Sequence, residues 1–491
     1  LGKVRDLVLD SGTYSEGDVV YLSSTVAGGI TVVEPNISVE IGHVLATSTG
    51  GNTNGVLEVQ INNEASVYGL EQTVPHNTNS VIICNNGDNI QTKYDEAAAL
   101  SISNKVTLLL MAGTYGDLAI SNAAEAAYGV DVIGVGTVII GNLSSPSFTT
   151  PILSSFKNFL CSSFNLDTSY SLIDDIRVNG AFSVGYNLGT IRKVTCTTFY
   201  TSSSYGTIDD IKCTQIFTSD LAGNFGTIKN VNATTIYVEN NNGTVDNVNA
   251  TGDLITSNAG ITKNCSANKF TLSVNTGIID NCHSNGTDRG FGGYIGSYNS
   301  GTIKNCTAKG ARSFGEQTST GLTENCTAAL QAFGGTSSQI APFAGSGGGN
   351  GTYKNCTGGI GSFFGVNSDT TNTRVMLANY IDCTAQQQSF GYCNTPGATT
   401  VFSGTAKNCT AGFRSFAGVN AGNAQISTGA IIENCTAGNF SFASDSPNTT
   451  NSGIILRCRT TSTSANAFRV DGSFGKVRLC LDGNYNEVNL G

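Results

Sequence analysis

The feature that most restricts what this chain can fold into is an eight-residue unit, Gly301-Thr302-Ile303-Lys304-Asn305-Cys306-Thr307-Ala308, that recurs along most of its length. Upstream copies begin at Gly226, Gly243, Gly260 and Gly277; downstream copies begin at Gly321, Gly351, Gly404 and Gly429, the last with one extra residue. With the glycine as position 1, position 6 falls on Phe159, Ile176, Val194, Ile211, Val231, Val248, Cys265, Cys282, Cys306, Cys326, Cys356, Cys383, Cys409, Cys435, Cys458 and Cys480, which makes sixteen coils. The first spacings are 17, 18, 17, 20, 17, 17 and 17 residues, and later ones stretch to between 20 and 30. A constant short period that later becomes variable marks a stacked solenoid whose later coils carry insertions at one corner.

The chemistry of one coil supports this. Position 3 is mostly Ile or Val, position 6 Cys or aliphatic, and position 8 small, as in Cys196, Cys213, Ala233, Ala308 and Ala437. These are the inward positions of two short strands separated by a bend. Position 5 is Asn in nine coils between Asn230 and Asn434, a residue that tolerates left-handed backbone and can hydrogen-bond to its counterpart one coil away. From Cys306 onward a further inward column follows, Phe314, Phe333, Phe363, Phe390, Phe416 and Phe442. Position 4 reads Lys157, Asp174, Arg192, Asp209, Lys229, Asp246, Lys263, Asp280, Lys304, Glu324, Lys354, and then Ile381, Lys407, Glu433. The sign alternates over eleven successive coils, as expected of side chains stacked about 4.8 Å apart. Each exposed pair contributes only about 0.2–1 kcal/mol, so the ladder reads as register control.

Charged residues make up 12% of the 491, Trp is absent, and turn-forming residues are abundant, which points to an all-β chain with many tight corners. The net charge of −10, with 25 scattered Lys and Arg, argues against nucleic-acid binding. No run of 18 apolar residues exists, so no membrane insertion is expected. Because the chain opens at Leu1 without a leader-like stretch, a processed terminus or an upstream segment is expected.

Tyr94-Asp95-Glu96-Ala97-Ala98-Ala99-Leu100 is the one convincing helix, with Thr92 or Asp95 as its N-cap. It precedes an apolar strand from Val106 that ends in Gly113-Thr114-Tyr115. This entry resembles that of the pectate-lyase-like right-handed β-helix superfamily, where the helix covers the open first coil; an uncovered edge invites polymerisation. Before it, Gly17–Ser23, Ile41–Ala46 and Gly55–Ile61 read as alternating strands of a small β domain. The order Gly17-Asp18-Val19-Val20-Tyr21-Leu22-Ser23, Gly42-His43-Val44-Leu45 and Asn54-Gly55-Val56-Leu57-Glu58-Val59-Gln60-Ile61 resembles a module of bacteriophage virion appendage proteins. The expected fold is therefore all-β. A small β attachment domain (1–65) and a linker with capping helix (66–104) precede a single-stranded right-handed parallel β-helix of about 16 coils (105–481), and a C-terminal tail follows (482–491). At about 4.8 Å per rung the rod is roughly 75 Å long.

As a whole the chain resembles a phage tail spike or fibre. That resemblance implies a structural appendage on the virion surface (tail spike, tail fibre or head fibre), made in the host cytoplasm and assembled as a homotrimer. Its N-terminal domain would join other virion proteins, and the rod would bind a host surface glycan or protein receptor. A cellular surface adhesin is the alternative if a secretion signal precedes Leu1.

The fifteen cysteines lie almost all in the inward columns, where parallel neighbours have poor disulfide geometry, so buried thiols are expected; Cys84 and Cys393 stand outside. The recurring Asn-Cys-Thr is formally a glycosylation sequon, but the repeat accounts for it. His43, His76 and His283 are far apart and suggest no metal, Gly345–Gly351 lacks a phosphate loop's Lys, and no cofactor is called for. The resembled superfamily contains polysaccharide lyases and hydrolases, which makes a depolymerase the enzymatic alternative. Hydrolysis needs two carboxylates on one groove, and a lyase needs a base near an acid. The insertions expected at 335–350, 366–379, 392–403, 418–428 and 444–452 contain only Asp369 and Asp445, and Arg192 or Lys229 is the candidate lyase base. Binding is favoured over catalysis, with the insertions clustered on one flank and Tyr294, Tyr298, Arg312, Arg374, Tyr392 and Arg414 as the candidate ligand-binding residues.

Overall fold

The computed structural model describes residues 2–5, 19–22, 30–31, 40–47, 55–59, 81–101, 105–120, 128–145, 153–287, 290–291, 298–310, 313–314, 318–329, 351–363, 373–391, 399–418, 423–442, 449–463, 468 and 475–490. The chain divides into two compact units, Leu1–Ser80 and Val81–Gly491. In the first, Gly2–Arg5 (β1), Val19–Leu22 (β2), Ile30–Thr31 (β3), Glu40–Thr47 (β4) and Gly55–Val59 (β5) form an antiparallel sheet in the order β1-β5-β4-β2-β3. This is the small β domain expected there, with the outer strands β1 and β3 added.

The second unit is a parallel β-solenoid of about 14 turns. Its register is the one the charges imply. Lys157 pairs with Asp174, Asp174 with Arg192, Arg192 with Asp209 and Asp209 with Lys229. The file continues through Asp246, Lys263, Asp280, Lys304, Glu324 and Lys354 without a slip. Positions 3 and 6 of the same rungs are buried in two apolar files, including Ile228, Val245, Ile279 and Ile303, and Cys265 to Cys480.

Three devices hold this register. The position-5 residue has positive φ in all sixteen repeats, from Asn158 at 62° to Leu479 at 53°, so the sharp bend is left-handed in every coil. Where that residue is Asn and the coil before carries Asp at position 4, the acid is clamped from two sides. Asp209 accepts from Lys229 Nζ at 3.3 Å and from Asn230 Nδ2 at 2.7 Å, and Asp246 and Asp280 accept likewise from Lys263 with Asn264 and from Lys304 with Asn305. Where the coil before carries Lys, the amide turns to its own kind: Asn247 Nδ2 donates to Asn230 Oδ1 at 2.7 Å and Asn281 Nδ2 to Asn264 Oδ1 at 2.9 Å. The ladder is thus built from two-coil units rather than a uniform chain of charges.

The second device is glycine at position 1. A Cβ on Gly206, Gly226, Gly243 or Gly260 would land on the carbonyl oxygen of the glycine one coil earlier, so at these rungs the corner closes only without a side chain. The third is an amide ladder inside the rod, two residues before those glycines. Asn224 donates to Asn241 at 2.9 Å, Asn241 to Asn258 at 2.8 Å, Asn258 to Asn275 at 2.7 Å and Asn275 to Asn299 at 2.7 Å, all of them buried. Each Nδ2 finds its acceptor one coil on, and the column is left with one buried oxygen unpaired where it starts, Asn224 Oδ1.

The ends differ from expectation. Parallel pairing begins not at 105 but with Val81–Cys84 (β6), which aligns with Val106–Thr114 (β7). The helix (α1, Ile90–Leu100) lies between them, and its N-cap is Asn89, whose Oδ1 accepts from Thr92 N, rather than Thr92 or Asp95. Gln91 exchanges two hydrogen bonds with the backbone of Ala119, at 3.0 and 2.8 Å, so the helix closes that edge as a strand would. The expected tail instead returns as a strand: Glu487–Leu490 pairs antiparallel with Lys476–Leu481, around a turn set by Asp482 accepting from the backbone N–H of Asn484 and Asn486.

Asp174 lacks the amide half of the clamp. Asp174 Oδ2 accepts from Arg192 at 2.7 Å, but its buried Oδ1 has no donor, because the next residue in the file of bends is Lys193 and not Asn. Lys193→Asn is expected to raise stability by about 0.5–1.5 kcal/mol, by supplying that donor and a residue suited to φ 54°. A urea midpoint that falls or stays unchanged would reject the clamp.

Candidate recognition flank

The rod pins both ends of its variable segments. On the exit side, Phe363, Phe390, Phe416 and Phe442 stack at centroid distances of 4.7, 4.6 and 5.1 Å with rings within 3° of parallel. Each has φ between 52° and 57°, so the backbone reverses as its ring turns inward. Left-handed backbone costs an L-residue about 1–2 kcal/mol, which ring burial and stacking of about 0.5–1.5 kcal/mol per pair offset. On the re-entry side, Thr373 pairs with Thr399, Thr399 with Asn423 and Ala424 with Thr449, all parallel. Successive segments therefore leave and return one rung apart on the same flank.

This shortens the insertions. Thr373–Met376, Thr399–Phe402, Asn423–Ile426 and Thr449–Asn451 fall within the stretches expected to be insertions, yet they form a four-stranded parallel sheet. Met376, Phe402 and Ile426 are buried there, two to four residues before the next coil's position 1, an apolar counterpart of the amide ladder. What remains, 364–372, 392–398, 419–422 and 443–448, lies outside the described residues together with 330–350, Asp369, Asp445, Phe333 and Cys393.

The aromatic file is also longer than expected. It extends past Phe314 to Phe291 at 4.9 Å and Phe270 at 4.5 Å. It then passes through Leu254, Ile236 and Ile216 to the stack of Phe199, Phe182 and Phe164. The signal was present in the sequence but interrupted by three aliphatic rungs.

Of the six candidate ligand residues, Tyr294, Arg312 and Tyr392 lie outside the described residues. Tyr298 and Arg374 are placed by their backbones, in Tyr298–Asn299 and Thr373–Met376 on the re-entry side. Arg414 is half-buried on the exit side, its guanidinium 4.7 Å from the Phe413 ring and 5.8 Å from Phe440. These three belong to different turns and do not converge on one pocket. Sequence reasoning missed Phe413 and Phe440, and it missed a shallow groove of about 560 Å³ along the glycine file, bordered by Thr276, Ser300 and Thr320 on one side and Ile278, Thr302 and Leu322 on the other. No charged side chain lines it.

The candidate lyase bases sit in ion pairs: Arg192 Nη2 is 2.7 Å from Asp174 and Lys229 Nζ is 3.3 Å from Asp209. The hydrogen bond that Arg192 donates to Asp174 pushes the guanidinium further up, the wrong direction for a group that must be neutral to accept a proton. The ladder acids are held by the clamps. Every described cysteine is free, Cys84 included, and only Cys213 is less than buried. Burial pushes the Cys161 thiol up to about 12, and the Cys326 thiol is likewise raised by burial. Among the described residues no group of three or more His, Cys, Asp or Glu is placed to hold a metal, and no helix is long and apolar enough to cross a membrane.

No family model, curated protein or solved structure matches the chain.

If the ring stack is what pins the segments, Phe416→Ala should cost about 3–5 kcal/mol, in line with removal of a fully buried ring. Urea unfolding followed by circular dichroism reads this directly, and a loss below about 1 kcal/mol would mean the file is dispensable.

Proposed function

We propose that the chain is a structural appendage of a virus particle, a tail spike, tail fibre or head fibre, that attaches to a host surface receptor or glycan through the segments on this flank. The observation that carries the reading is the pinning of successive variable segments one rung apart on an otherwise strictly repeating rod. Repeat proteins commonly place recognition where a constant scaffold presents variable loops. The N-terminal strands, which resemble an attachment module of virion appendages, support the same reading: one unit joins the particle and the other faces the host.

The test is adhesion. The labelled full chain should bind some bacterial strains of a panel and not others. A variant in which 392–398 and 419–422 are replaced by Gly-Ser segments of equal length should melt at the same temperature and lose at least about tenfold in binding. Undiminished binding by that variant, or no binding to any strain by the parent, would remove the basis for the proposal. An appendage of this kind is expected to be a homotrimer, and light scattering at micromolar concentration that gives a monomer mass of 50.8 kDa would count against it.

A further inference from the structure

Arg414 differs from the cations of the charge ladder. Those at position 4 face an acid one rung away, whereas Arg414 has no carboxylate within ion-pair distance among the described residues. Its Nε is enclosed and lacks an acceptor. The residues at the same corner one turn before and after are Gln388 and Phe440, with φ of 60° and 57° against 55° for Arg414, and neither brings a negative charge. The guanidinium is instead held by rings: Phe413 and Phe440 meet edge to face at 5.4 Å, with the cation 4.7 and 5.8 Å from their centroids. Such contacts fix the plane of an arginine without neutralising it. Phe440 also leaves 39% of its surface open beside that cation, on the flank from which the variable segments leave.

We infer that Arg414, backed by Phe413 and Phe440, is a subsite for the carboxylate of an acidic sugar. The chemistry selects this class because a pyranose offers an apolar C–H face to the open Phe440 ring while a carboxylate on the same ring takes the outward N–H groups of the guanidinium. A neutral sugar would leave the cation unanswered, and a small inorganic anion would leave the ring bare.

The inference rests on the attachment reading and names its ligand class. The full chain is run in affinity electrophoresis against polygalacturonate, polysialic acid and, as the neutral control, dextran. Retardation by at least one acidic polymer but not by dextran is expected, and the effect should weaken in 0.5 M salt, as about 3–4 Å of screening length implies. Arg414→Ala should lose at least about tenfold in affinity. Arg414→Lys should recover only part, since an ammonium cannot fork onto a carboxylate, and Phe440→Ala should weaken binding with the charge intact. Melting curves of the three variants separate lost contact from lost fold. Equal retardation of parent and Arg414→Ala, or dextran binding as strong as that of the acidic polymers, overturns the inference. If Arg414→Ala still adheres to the strains that the parent binds, the subsite fails while attachment stands; if the parent adheres to no strain, the attachment reading fails whatever the polymers do.

Discussion

Once per coil the backbone must pass through a left-handed residue, and the rest of the solenoid depends on that requirement being met at the same place each time. A φ near +50° is accessible to Asn and Asp at modest cost and less so to other L-residues. Ten of the sixteen bends are Asn and three are Asp. Because the bend recurs in register, the side chains around it form vertical files, and each file must satisfy its own chemistry at a spacing of about 4.8 Å. The Asn amide meets this by donating to whatever lies one coil earlier, a carboxylate or another amide. Charge alternation at position 4 follows as the arrangement that gives Asp209, Asp246 and Asp280 a cation and an amide together, instead of a like-charged neighbour.

The same constraint divides the interior into two regimes. In the 17-residue coils the corner before the glycine is lined by buried Asn, whose amides donate along the column. Once longer segments enter each turn, Met376, Phe402 and Ile426 take over that corner and the Phe column becomes continuous from Phe363 to Phe468. An apolar file needs no partner-by-partner matching, so it tolerates variable spacing between rungs better than an amide ladder can. The change is not abrupt, since the amide ladder still reaches Asn299 across a 24-residue spacing and buried Asn451 follows Ile426 at the same corner.

Much of this was legible in the sequence because a solenoid repeats its signals: the position-4 charges, the position-6 files and the left-handed Asn column were read in the register the structure has. The misses share a cause, which is that they do not repeat. Val81–Cys84 is a four-residue strand separated from the next by the helix, the Asn89 cap is a single residue, and the closing strand Glu487–Leu490 pairs antiparallel where all its neighbours are parallel. The inner amide ladder was missed for another reason. Asn two residues before Gly reads equally well as a turn residue, and only the pairing places it inside. Of the recognition flank, the exit points were visible in the Phe column. The aromatic setting of Arg414 was not, because Phe413 and Phe440 sit one residue apart in their respective coils and meet only through the stacking of one turn on the next.

A rod held in this way separates two tasks that compete in most folds. Register is set on the charged and glycine faces and in the interior files, none of which includes the residues that leave at the Phe column. Changes in the length or composition of those segments leave the clamps, the amide ladder and the glycine corner untouched, so their energetic cost is confined to closing a longer loop, about 0.6 kcal/mol for each doubling of length. The segments can then vary one by one on a scaffold whose stability is set elsewhere, which is the physical condition that the proposed attachment role has to meet.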